Sequence, residues 1–144
     1  MGALSRSFDV GCFPQCDGSC RYVEGGTMVL ATVTGPVHTS ASQDPDVGSL
    51  EVKCSLADRT AADRVAVERR LEEYASPLLE GALDLKKFPR QQVSASIVVV
   101  FDDGQAKVAA CNAAVLALLD ADLPLVAVPV TVRSDAVVTF DALT

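Results

Sequence analysis

The run from Asp17 to Pro36, DGSCRYVEGGTMVLATVTGP, constrains the fold most strongly. Ser19 to Val23 and Thr27 to Thr34 alternate as half-buried strands do, and Glu24-Gly25-Gly26 supplies a turn between them. Gly35-Pro36 reads as the stop of the second strand, because proline has no N–H to give to a sheet. Phe8 to Cys12 has the character of a preceding strand, joined through Pro14 to Gly18. The chain is therefore expected to begin with an antiparallel meander.

Beyond it, Val37 to Gly48 is polar and proline-containing, the composition of an exposed loop. Leu50, Val52, Cys54 and Leu56 then alternate with Glu51, Lys53 and Ser55, which predicts another half-buried strand. From Ala61 to Leu83 the period becomes helical, with Val67, Leu71, Tyr74, Ala75, Leu78, Leu79 and Ala82 near one face. Thr60 and Asp63 have the spacing of a capping box, and Pro77 should kink or restart the helix with Ser76 as a new cap. Lys86 to Gln92 is a connection. Val93 to Phe101 is apolar enough to be a central strand. A turn at Asp102-Asp103-Gly104 leads into a helix from Ala106 to Leu119, with Ala109, Ala110, Ala113 and Ala114 permitting close packing and Pro124 beyond its end. Val126 to Val132 and Ala136 to Phe140 pattern as a hairpin through Arg133-Ser134-Asp135, with Pro129 demanding an edge or a bulge.

Two segments taken together resemble one family. The pattern DGSxxxxxGGTxVLAxVxGP, followed by SIVVVFDDGQAKVAACNAAVLALLDADLPL from Ser96 to Leu125, is similar to the ribonuclease PH family over most of residues 5 to 141. FPRQQVSASIVVVFDDGQAKVAACNAAVLALLDADLPL follows the non-catalytic ring subunits of the eukaryotic RNA exosome better than the bacterial enzyme. The resemblance implies an α+β fold: a ribonuclease PH-like βαβ domain with a mixed sheet and helices packed on it. It also implies RNA processing and 3′–5′ degradation, in the nucleus, nucleolus and cytoplasm. The implied partners are other exosome subunits, especially a ribonuclease PH-like paralogue, with RNA reached through the assembled ring and a homodimer as the form taken alone. Relatives continue past the position of Thr144 into a second half, so the domain is expected to lack its C-terminal part.

At 144 residues the chain suits one domain, and no apolar run approaches the ~20 residues of a membrane span. Without a secretory pattern, it reads as an intracellular, soluble protein whose five cysteines are free thiols. Cys12, Cys16 and Cys20 are evenly spaced but lack a matching second pair, so no metal site and no cofactor are assigned. His38 sits alone in a polar stretch and reads as a surface residue. The net charge of −7 excludes a protein that coats nucleic acid by counterion release. Contact with RNA must be local or shared with neighbours.

In active relatives the Asp-Gly loop supplies Thr or Ser followed by Arg to hold phosphate. Here it reads Gln105, Ala106 and Lys107, a remnant of a phosphate site in which a hydroxyl is lost and a bidentate cation becomes a point charge. No catalytic residue is assigned. Family members also hold RNA with arginines at the start of the long helix, which makes Arg64, Arg69 and Arg70 the candidate RNA contacts. Glu68, Glu72 and Glu73 are interleaved at helical spacing and are expected to pair with them. The main reading is a structural, catalytically inert subunit of the exosome core ring. The alternative is a phosphate-dependent 3′–5′ exoribonuclease or nuclease active as a homo-oligomer, with Lys107 in the arginine's place. A free-standing RNA-binding module fits least, given the charge and phenylalanines that show no stacking motif.

Overall fold

The computed structural model describes residues 6–11, 13–38, 48–57, 62–87, 89, 91–101, 106–123, 125, 127–133 and 136–141. Five strands form a mixed sheet: β1 (Arg6–Val10), β2 (Gly18–Glu24), β3 (Thr27–His38), β4 (Ser49–Leu56) and β5 (Gln91–Phe101), in the order β1-β2-β3-β5-β4. The first three make the expected antiparallel meander. β5 pairs antiparallel with β3 and parallel with β4, so it is interior, as its apolar run required. A parallel pair needs a crossover, and α1 (Arg64–Ala82) provides it between β4 and β5. α2 (Ala106–Asp120) follows β5, and β6 (Ala127–Arg133) with β7 (Ala136–Asp141) forms a separate two-stranded sheet. This is the mixed-sheet α+β architecture expected.

Several boundaries depart from the sequence reading. Glu24 belongs to β2, paired with Thr27, and the turn is only Gly25-Gly26, with Gly25 at φ 61°. β3 runs through Gly35-Pro36 to His38, because a bulge between Thr34 and Val37 absorbs the proline. β1 is shifted towards the N-terminus and ends at Val10. Asp63 is itself the residue capping α1, without a side-chain cap bond; Thr60, the other half of the expected capping box, lies outside the described residues. α1 is continuous across Pro77, on the helix's exposed side where water can satisfy the carbonyl that proline frees. Leu85–Lys87, overlapping the start of the expected connection, is a 3-10 turn. Pro129 lies in a two-stranded sheet, where every strand is an edge, while the bulge falls at Thr131 to Arg133.

The core lies between the sheet and the helices. α1 contributes Leu71, Ala75, Leu79 and Ala82, the face its period predicted. α2 is buried on most sides, with only Lys107 and Leu116 half-buried between Ala106 and Leu118, because it packs on the sheet while α1 and β6 also touch it. Ala109, Ala110, Ala113, Ala114 and Ala117 make that proximity feasible.

The motif residues meet at the end of α2. A Cβ on Gly18 would lie 2.2 Å from the Ala117 carbonyl oxygen and 2.7 Å from Ala121 Cβ, so β2 starts against the helix's last turn only because residue 18 has no side chain. The Ser19 N–H donates to Asp120 Oδ2 at 3.1 Å, and the Ser19 hydroxyl oxygen accepts the Phe13 N–H at 3.0 Å. Asp17 Oδ2 accepts the Gly35 N–H at 2.7 Å, tying the turn before β2 to the bulge of β3, where Gly35 sits at φ 108°. α2 closes with Asp122 at φ 59° and a bond from the Leu123 N–H to the Leu118 carbonyl, a Schellman-type stop.

Gly18→Ala is expected to cost at least about 3 kcal/mol in a urea melt, since overpacking here meets backbone that cannot yield. Gly81→Ala, with nothing within 4 Å of the added methyl, is expected to leave stability equal or raise it by about 0.5 kcal/mol. Equal losses at both positions would contradict the close approach.

Candidate functional site

The opposite end of the sheet gathers the C-terminus of β5, the β2–β3 turn and the first turn of α2. Polar groups are buried there. Asn112 Nδ2 donates to the Tyr22 hydroxyl oxygen at 3.3 Å, and that hydroxyl donates to Glu24 Oε1 at 2.9 Å. Glu24 and Thr27 are fully buried beside them. A buried polar side chain is tolerated only when hydrogen-bonded, and each such bond contributes about 0.5–1.5 kcal/mol net. The network therefore fastens the middle of α2 to the β2–β3 hairpin. Sequence reading missed it by placing Glu24 in the turn, although Tyr22 and Glu24 at i, i+2 share one face of a strand.

The residues expected to form a phosphate-site remnant divide. Gln105 lies outside the described residues, as do Asp102 and Asp103. Ala106 opens α2 and is buried. Lys107 is half-buried and turns towards α1, its Nζ 4.7 Å from the centre of the Tyr74 ring. Between the two helices runs an open groove of about 430 Å³, lined by Val67, Arg70, Leu71, Glu73, Tyr74 and Lys107.

The arginines part as well. Arg70 reaches the groove, its Nε 3.5 Å from the Ala66 carbonyl oxygen. Arg64 pairs with Glu68 at 3.8 Å, and Arg69 is exposed away from the groove. Among the described residues neither Arg69 nor Arg70 is within ion-pair distance of a carboxylate. The expectation that Glu68 and Glu72 would neutralise the arginines is corrected, apart from the Arg64 pair. Glu68 Oε2 accepts the Leu56 N–H at 2.8 Å, and Glu72 Oε1 accepts the Cys54 N–H at 3.1 Å. β4 is a sheet edge, and these amides point away from β5. Two carboxylates of α1 close that edge, Glu68 while also meeting Arg64.

Cys54 lies beneath this clamp. Burial, then the charges of Glu72, Cys111 and Glu68, pushes its thiol up to about 12 from an ordinary 9.0. Cys16, Cys20, Cys54 and Cys111 are all free, and among the described residues no cluster of three His, Cys, Asp or Glu could hold a metal. Cys12 and the side chain of His38 lie outside the description. No helix among the described residues is long and apolar enough to cross a membrane.

A family profile described as the 3′ exoribonuclease family, domain 1, matches residues 5–124. The chain belongs to the ribonuclease PH family. Its relatives include the exosome complex component Rrp41 of Thermococcus gammatolerans, 36% identical over 124 residues, which are 81% of this chain and 50% of that protein. The exosome complex component rrp46 of Schizosaccharomyces pombe is 30% identical over 134 residues, 92% of this chain and 54% of the relative. This ribonuclease PH chain thus spans about half the length of the curated relatives it matches. Rice (Oryza sativa) Rrp46 shares the fold at a TM-score of 0.82 and 21% identity, covering 99% of this chain and 83% of that one. A subunit of the Archaeoglobus fulgidus exosome, solved with RNA bound to the active site, superposes at 0.68 and 19% identity, covering 94% and 65%.

Because the Cys54 thiol is protonated more firmly in the folded state, its contribution to stability is complete below pH 9 and is lost as pH rises towards 12. Iodoacetamide at pH 8 is expected to leave Cys54 unlabelled in the folded chain and to label it on unfolding, read by peptide mass spectrometry. Rapid native labelling would contradict the buried site.

Proposed function

We propose that this chain is a catalytically inert ring subunit of an RNA exosome core, acting in RNA processing and 3′–5′ degradation through the assembly it joins. One observation carries the reading. Phosphorolysis needs phosphate held against the scissile bond by aligned donors and cations, and here a buried alanine at 106 precedes a lysine drawn onto Tyr74. The groove keeps two cations, Arg70 and Lys107, which suits holding RNA without cleaving it. Relatives named as exosome components support the ring.

The partners in this reading are other exosome subunits, foremost a ribonuclease PH-like paralogue, in the nucleus, nucleolus and cytoplasm. Since Glu68 and Glu72 close the β4 edge, subunit contact is assigned to the opposite side, where β1 ends the sheet and exposes Phe8 and Val10.

Affinity purification of the tagged protein from native extract is expected to recover exosome subunits, and recovery of none would overturn the ring reading. With saturating single-stranded RNA and phosphate, complexes carrying Lys107→Ala should release nucleoside diphosphates as fast as wild type. Phosphate-dependent release lost on Lys107→Ala would instead make the chain a phosphorolytic exoribonuclease.

A further inference from the structure

We propose that Glu68 is a positioning residue for Arg64: one carboxylate oxygen joins the guanidinium to the backbone of β4 and so holds the arginine ready for a phosphate of single-stranded RNA. The identity of the ligand rests on the RNA-contacting role above. The tether itself rests on geometry.

The same atom makes both contacts. Glu68 Oε2 accepts the Leu56 N–H at 2.8 Å and stands 3.8 Å from Arg64 Nη1. β4 and β5 run parallel, so Leu56 lies at the end of the sheet where β5 finishes and α2 begins, and α1 opens there with Arg64. Of the three candidate arginines, Arg64 is half-buried while Arg69 and Arg70 are exposed. Local preference does not explain this. An arginine four residues before a glutamate is the weaker order of such a pair, and a cation in the first turn faces the positive end of the helix. On a free helix a pair of this spacing shifts an equilibrium by only about twofold. Here Glu68 is already committed. Its side chain is 17% exposed and fixed by the Leu56 amide, so Arg64 pairs with a carboxylate that is ordered beforehand.

The tether orients Arg64 without consuming it. At 3.8 Å the contact is an ion pair and not a hydrogen bond, and none of the Arg64 N–H groups makes a hydrogen bond among the described residues. A guanidinium carries five N–H donors in a planar fork, so one edge can face Glu68 while another grips a phosphate. Ordering a long side chain on binding weakens affinity by about two- to tenfold, a loss that an arginine held beforehand avoids. Glu72 marks the contrast. It accepts the Cys54 N–H at 3.1 Å from the same strand, and no arginine or lysine among the described residues lies within ion-pair distance of it. The two carboxylates share one kind of anchor, and only Glu68 also holds a cation.

The test is a double-mutant cycle on affinity for an unstructured adenosine hexanucleotide RNA, using the protein in whatever assembly it is purified. Glu68→Gln keeps an oxygen for the Leu56 amide and removes a negative charge, which by charge alone would strengthen RNA binding. The tether predicts the opposite sign, a loss of about threefold. Arg64→Ala should weaken binding and flatten the dependence of log affinity on log salt by about 0.7, the loss of one single-strand phosphate contact. Glu68→Gln should leave that slope unchanged, because the contact still forms once the arginine is ordered. In the Arg64→Ala background Glu68→Gln should no longer weaken binding. Glu72→Gln, the same change of charge one turn along, should not weaken it either. A Glu68→Gln loss that persists without Arg64 would be damage to the packing of α1 on β4 and would overturn the tether. Unchanged or tighter binding by Glu68→Gln, with Arg64→Ala weakened, would also overturn it and leave the RNA contact standing. Full affinity of Arg64→Ala would instead remove this arginine from the RNA contact, and the tether's purpose with it.

Discussion

Contact of backbone with backbone at the start of β2 sets the position of everything else. Gly18 lets the strand lie against the Ala117 carbonyl, and the Ser19 N–H then reaches Asp120 on the same turn of α2. A helix pinned this closely can present only small residues to the sheet, which is why α2 is dominated by alanine. The same junction reaches sideways, since Asp17 caps the Gly35 amide and so decides where β3 bulges. With one end of α2 fixed by Gly18 and its middle by the Asn112–Tyr22–Glu24 chain, little freedom is left at Lys107. The distance from that lysine to α1 is a consequence of contacts made at the far end of the helix.

The carboxylates of α1 follow the same logic of committed groups. β4 must be an edge, because the chain leaves it through α1 and returns to the sheet at β5 on its inner side. Unpaired outer amides on an edge invite another strand. Glu68 and Glu72, one helical turn apart, match the spacing of Cys54 and Leu56 along β4. The arrangement has a second effect. Carboxylates bound to the sheet are turned from the groove, where Glu73 stands beside Arg70 and Lys107.

The alternation of Leu50 to Leu56, the helical stripe of Leu71, Ala75 and Leu79, and the apolar run of β5 each state their burial directly, so the layers were legible from pattern. What escaped was governed by partners distant in sequence. Glu24 looks like a turn residue until Tyr22 and Asn112 are brought to it. Glu68 and Glu72 look like partners for arginine until β4 is placed beside α1. Gly35-Pro36 looks like a stop unless the Asp17 carboxylate is there to hold a bulge. Helical spacing brought Arg70 and Tyr74 onto one helix, but only the crossing of α1 and α2 brings Lys107 to them.

The residues that make the family recognisable are not those that decide its chemistry. Asp17, Gly18, Ser19 and Gly35 are held by one another, by α2 or by the bulge, and each answers a steric or hydrogen-bonding demand of the backbone. Any member must meet those demands whether or not it cleaves RNA. Ala106 and Lys107 lie outside that junction: Ala106 is buried in the core at the start of α2, and Lys107 answers to Tyr74 across the groove. The signature thus establishes membership and is silent on catalysis, and the functional difference between members must be sought where α1 and α2 face each other.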